Sequence, residues 1–274
     1  MYNSIPTDKY FDSGNLNIHY LEWGNLQNPP MILLHHISSQ AHAWDQFAAS
    51  MSKEYHIVAP DMRGHGNSDW AGEGNYTTED YASDIEVLVQ TLDLNNIIML
   101  GGSTGGRVAL VYTAQNPDKV THLIMEDVGA VRPASISQGF ADRIAAGDPE
   151  FDTIDEWAKQ LSRGNTIASF ESFLNNARHC TRLLANARLG LKRDPMIQKD
   201  FVPLELWHYV EMITAKFMLL LGANSTIVGD DQQDRFKQIR PDIEIVSIQD
   251  AGHIVVQDKP DEFEAAVRQF LFSH

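Results

Sequence analysis

The 274-residue chain holds one cysteine, Cys180, so it carries no intramolecular disulfide framework. Cationic residues are scarce: 21 Lys and Arg stand against 37 Asp and Glu, a net charge of −16. That balance argues against nucleic acid or an acidic membrane surface as partner. No apolar run is long enough to span a bilayer, and Met1-Tyr2-Asn3-Ser4-Ile5-Pro6 has no basic region followed by an apolar stretch. The expectation is a cytoplasmic protein that does not engage membranes, a monomer or homodimer. The 11 histidines never fall in H-E-x-x-H spacing, and no phosphate-cradling G-x-G-x-x-G follows a strand. The sequence therefore implies no metal and no organic cofactor. Internal repeats and low-complexity tracts are also absent.

What is present is a chain of 43% hydrophobic content in which short apolar runs alternate with helix-like segments. That pattern predicts an α/β fold: a mostly parallel sheet with helices on both faces, in one large domain. Strands are expected over residues 16–21, 31–34, 56–59, 97–100, 120–125, 217–221 and 243–248. Helices are expected over 78–92, 104–115, 232–238 and 261–271. In the first of these, Tyr81, Ile85, Leu88 and Leu92 recur at helical spacing behind a Thr77 or Thr78 cap. Between about residues 129 and 215 the alternation stops. This stretch has amphipathic segments at 154–161 and 169–184 but no convincing strand, and it reads as an inserted helical lid. The expected division is a core of residues 1–128 and 216–274 with a lid of residues 129–215.

Gly101-Gly102-Ser103-Thr104-Gly105 lies between a predicted strand and a predicted helix. Small residues at such a turn let the chain bend tightly enough to hold a hydroxyl above the sheet, so Ser103 is a candidate nucleophile. A serine needs a histidine to take its proton and a carboxylate to hold that histidine. Asp250-Ala251-Gly252-His253 follows the last predicted strand, which makes His253 the candidate base. His35-His36-Ile37 ends another strand, and the amides of Ile37 and Thr104 are the candidate oxyanion donors. The turn from Pro60 to Ser68 reads as a brace for the sheet rather than as chemistry.

These residues together resemble the α/β-hydrolase-fold superfamily over essentially the whole chain. The resemblance rests on His35-His36, Asp61 to Ser68, Gly101 to Gly105, and Gly252-His253 with Pro260 and Phe263. The fold, a helical lid and a serine-based hydrolysis of an ester, lactone or amide-like bond are what it implies. Two departures stand out. The oxyanion loop of this family normally begins His-Gly, whereas His36 occupies the second position here. The acid normally lies on a Gly-x-x-Asp turn after the strand at 217–221, and here the turn reads Gly222-Ala223-Asn224-Ser225. An alternative acid is Asp127, at the end of the sixth strand, the position used in one subgroup of haloalkane dehalogenases, in zearalenone lactone hydrolases and in cofactor-free ring-cleaving dioxygenases. Glu126 is the runner-up, since neighbours on a strand face opposite sides. Asp230 and Asp231 are weaker candidates.

Candidate substrate contacts are His36, Arg107, Arg132, Trp157, Arg178 and Trp207, with Trp70, Phe140, Phe173 and Tyr209 as further aromatics that either line a pocket or pack in the core. Arg178, Arg182, Arg188, Lys192 and Arg193 follow one another with no acid between them. They suit a carboxylate-bearing small molecule, although a solvated basic face is the favoured reading. The 222–225 turn with Arg240-Pro241-Asp242 resembles that of (E)-2-(acetamidomethylene)succinate hydrolases. Carbon–carbon bond hydrolysis, cofactor-free dioxygenation and a non-catalytic small-molecule receptor remain alternatives.

Overall fold

The computed structural model describes residues 5–132, 138–139, 142, 146–199 and 205–273. Its sheet has eight strands: β1 (Thr7–Ser13), β2 (Leu16–Trp23), β3 (Pro30–Leu34), β4 (His56–Pro60), β5 (Ile97–Gly102), β6 (Val120–Glu126), β9 (Lys216–Gly222) and β10 (Glu244–Ile248). Between β6 and β9 in sequence come β7 (Thr181–Leu183) and β8 (Leu189–Leu191), which pair only with each other. The order across the large sheet is β1-β2-β4-β3-β5-β6-β9-β10. β1 and β2 are antiparallel to their neighbours, and β4, β3, β5, β6, β9 and β10 run parallel.

Strand alternation divides the core into two layers. Ile32, Leu34, Met99, Leu123, Met125, Leu219 and Leu221 face one way, packing with Tyr81, Ile85, Val108 and Val111. Met31, Leu33, Ile98, Leu100, Ile124, Met218 and Leu220 face the other way, packing with Phe47, Phe263, Val267 and Phe270. The first layer is covered by α2 (Thr78–Thr91) and α3 (Thr104–Gln115), the second by α1 (Asp45–Met51) and the C-terminal helix Pro260–Phe272. A capping box closes the start of α2, with Thr77 accepting from the Asp80 amide while Asp80 accepts from that of Thr77. Among the described residues no helix is long and apolar enough to cross a membrane.

The turn after β4 is a brace. Buried Asp61 accepts from the Ala41 amide at 2.7 Å and the Asn67 amide at 2.8 Å, and His19 Nδ1 lies 2.7 Å from its carboxylate. Burial opposes ionisation, yet His19 holds Asp61 below its ordinary value of 3.8. The network is thus stabilising above that pH and is lost as acid protonates the carboxylate. Asp61→Ala is expected to cost about 3–5 kcal/mol at neutral pH, because it leaves His19 and two amides without their acceptor. Urea denaturation of the variant measures this, and a loss under about 1 kcal/mol would show that the brace is dispensable.

The segment between β6 and β9 differs from expectation in one respect. Helices α4 (Ile154–Ser162) and α5 (Phe170–Cys180) pack together around Ala158, Phe173 and Ala177. The second stops at Cys180 rather than running on to Leu184: Thr181 turns extended, its hydroxyl bonds back to Ala177 O, and it pairs with Leu191 in the small hairpin. A threonine hydroxyl that competes for the backbone favours such an exit. The segment is tied to the core where Gly66 N–H meets Lys192 O, Asp194 N–H meets Gly64 O, and the Tyr76 hydroxyl donates to Asp194. Phe140 lies outside the described residues.

Candidate active site

Ser103 joins β5 to α3 with φ 50° and ψ −115°, a conformation that L-residues rarely adopt. Such strain costs of order 1–3 kcal/mol and persists only where the surroundings hold it. Here the hold is close packing of glycines. A Cβ on Gly101 would lie 2.3 Å from the Gly105 backbone, and one on Gly105 would lie 2.2 Å from Leu34 O. The absence of both side chains seats the elbow against the end of β3, where His35, His36 and Ile37 follow. Ser103 N–H continues the sheet by donating to Glu126 O at 3.0 Å, and Thr104 opens α3.

His35 fixes the loop that carries Ile37. Its Nε2 accepts the Met62 amide at 3.0 Å, so Nδ1 carries the proton and donates to His36 O at 2.7 Å. Ser38 then takes φ 61°, and Ser39 N–H closes the turn on His36 O.

His253 and Asp127 meet: Nδ1 lies 2.7 Å from Asp127 Oδ2. Asp127 is buried one residue past β6, and its φ of 45° breaks the strand alternation and turns its side chain toward the end of β9. There the Ser225 hydroxyl donates to Oδ2 at 2.5 Å and the Gly222 amide approaches Oδ1 at 3.3 Å. The serine at the expected acid position thus serves as a donor to an acid on the neighbouring strand. From sequence Ser225 stands out only as a missing carboxylate, because its contact with Asp127 depends on the pairing of the sixth strand with the strand Lys216–Gly222.

Glu126, the other acidic candidate, points elsewhere. It is wholly buried, with Oε1 accepting the Val256 amide at 2.8 Å and Oε2 3.4 Å from His36 Nε2. Burial, reinforced by the Asp127 charge, pushes its carboxyl up to about 8. His36 packs its ring edge-on to that of His253, 5.7 Å between centroids, and stacks on Trp44. Burial and the neighbouring His253 and His35 hold its imidazole well below 6.5, so it is neutral. A side chain on Gly102 would strike both His36 and Glu126.

The other proposed contacts are scattered. Arg107 is buried and donates to Gly129 O at 3.1 Å and Ala130 O at 3.4 Å, fastening the exit of β6. Arg132 and Trp207 share a cleft of about 500 Å³ with Thr226, Gln232 and Arg235. Arg235 lies over the Trp207 ring at 4.3 Å. Trp157 donates to Cys180 Sγ and packs on Phe151. Arg178 is exposed and paired with Glu171 at 3.1 Å. The run of cations in the inserted segment is not an unopposed basic face: Arg188 meets Glu150 and Asp152, Arg193 meets Asp148, Arg182 lies over Trp70, and Lys192 donates to Asn67.

A sheet of this order, an elbow serine and a histidine–carboxylate pair at the strand ends define a hydrolase architecture. The alpha/beta hydrolase fold model matches residues 29–260, and the chain belongs to that family. It is 26% identical over 267 residues to the 2-(acetamidomethylene)succinate hydrolase of Mesorhizobium japonicum, covering 95% of this chain and 93% of that protein. It is 26% identical over 258 residues to the esterase Rv0045c of Mycobacterium tuberculosis, covering 92% and 85%. The crystal structure of E-2-(acetamidomethylene)succinate hydrolase has the same fold, with a TM-score of 0.90 at 22% identity over 97% of this chain and 99% of that one. The family and these relatives support hydrolase activity.

Proposed function

We propose that the protein is a serine hydrolase that cleaves an ester, lactone or amide-like bond of a small molecule through an acyl-enzyme. The observation that carries this reading is the contact of His253 Nδ1 with Asp127, a carboxylate held in turn by Ser225 and Gly222. Asp127 keeps the Nδ1 proton on His253, leaving Nε2 as the base. His253 takes the proton of Ser103 as its Oγ attacks the carbonyl carbon. The amides of Ile37 and Thr104 stabilise the oxyanion, each worth about 3 kcal/mol in the transition state. His253 then passes the proton to the leaving group. Water, deprotonated by His253, adds to the acyl-enzyme, and its collapse restores the Ser103 hydroxyl. No step calls for a metal or an organic cofactor.

The segment 129–215 acts as a lid over this site, excluding water and shaping the pocket. The substrate is small and carboxylate-bearing. That class is favoured by a relative over nearly the full length that is named for a succinate derivative.

A fluorophosphonate probe read by intact mass tests the activated serine. Wild type is expected to gain one adduct on Ser103, and Ser103→Ala and His253→Ala none. Folded wild type that stays unlabelled would overturn the reading and direct attention to oxygen uptake, as a cofactor-free dioxygenase would show.

A further inference from the structure

His42, Asp45 and His179 each present a ligand atom, and these atoms lie within 4.8 Å of one another. Among the described residues this is the one such group of three. His42 Nδ1 sits 3.0 and 3.1 Å from the two Asp45 oxygens. The His179 ring lies nearly flat on that of His42, with centroids 3.6 Å apart and planes 24° from parallel. All three are half-buried, so the group is reachable from solvent without being loose.

The three come from two parts of the molecule. His42 lies in the single helical turn Ala41–Trp44 that follows the oxyanion loop, and Asp45 opens α1. His179 is in the last turn of α5, within the inserted segment. The junction is pre-set by its neighbours. Asn175, one turn before His179, donates to His42 O and Asp45 Oδ2, both at 3.3 Å, and the His42 amide is held by Gln40 Oε1 at 2.5 Å. Supporting hydrogen bonds of this kind orient metal-ligating side chains.

We propose that His42, Asp45 and His179 bind one divalent transition-metal ion, zinc being the best match, which clamps the inserted segment to the turn beside the oxyanion loop. Two imidazole nitrogens and one carboxylate oxygen are a donor set that zinc accepts, with a water completing four-coordination on the open side. Calcium and magnesium select all-oxygen sites and are disfavoured here. Bond lengths of about 2.0–2.2 Å bring the three donors to roughly 3.3 Å from one another, which requires the His179 ring to leave its stack on His42 and turn a nitrogen toward the ion. Because Trp44, between His42 and Asp45, stacks on His36, the clamp reaches the loop that carries Ile37. Its effect on access to Ser103 rests on the serine-hydrolase reading; metal binding itself does not.

The experiment titrates zinc chloride into the metal-stripped full chain, following binding by calorimetry and stoichiometry by native mass spectrometry. One zinc per chain is expected, with a raised melting temperature and slowed hydrogen exchange in both Ala41–Trp44 and Phe170–Cys180. His179→Ala and Asp45→Asn are each expected to weaken binding by about 100-fold or more. The second preserves side-chain shape and guards against misfolding of the first. No stoichiometric binding, or equal binding by wild type and both variants, would overturn the proposal. Because these readouts need no substrate, they separate failure of the metal site from failure of the catalytic reading.

Discussion

Asp127→Asn is expected to lower kcat toward an activated ester by about 10⁴-fold with little change in KM. The size follows from what surrounds the carboxylate. The Gly222 amide donates to Oδ1 and holds the carbonyl of an asparagine there, which puts the NH₂ at the Oδ2 position between the Ser225 hydroxyl, which can rotate to accept, and His253 Nδ1. His253 must then accept there and carry its proton on Nε2, where it cannot deprotonate Ser103. Ser225→Ala removes one donor but leaves the charge and the tautomer, so its kcat should fall by no more than about 10-fold. Steady-state kinetics of the two variants measure the contrast. An Asp127→Asn enzyme within about 10-fold of wild type would place the acid elsewhere and sink the proposed triad.

That Asp127 could be singled out from sequence, whereas its setting could not, has a physical cause. Strands such as β3, β5 and β6 are buried on both faces and therefore read as uninterrupted apolar runs. β1 escaped notice because Thr7–Ser13 is a mostly exposed edge strand with a polar sequence. The hairpin of β7 and β8 escaped because pairing, not composition, makes Thr181–Leu183 and Leu189–Leu191 strands. Cationic residues adjacent in sequence looked unopposed; Glu150, Asp152 and Asp148, which lie 30 or more residues earlier, meet them only after folding. Ser225 and Asp127 are likewise joined only by the pairing of β6 with β9. Local turns are legible in a chain, while partners across the sheet are not.

The same limit hid the setting of Glu126, for which the expected result is a stability difference that grows with pH. Its carboxyl, pushed up to about 8 from an ordinary 4.5, keeps a proton between those values that the unfolded chain releases. Across that range this group makes stability fall by about 1.4 kcal/mol per pH unit, and above about 8 its slope vanishes because both states are ionised. Glu126→Gln cannot ionise. Its carbonyl can keep the Val256 amide while its NH₂ takes the place of the acid proton facing His36 Nε2, so near pH 5 the variant should match wild type within about 1 kcal/mol. The advantage of the variant should then increase to about pH 8 and level off. Urea denaturation at unit steps of pH measures it, and a difference that does not vary with pH would mean that Glu126 is ionised throughout. The consequence reaches the site. A neutral Glu126 leaves Asp127 as the carboxylate charge that His253 meets, and ionisation beside it would add a second negative charge against the neutral His36.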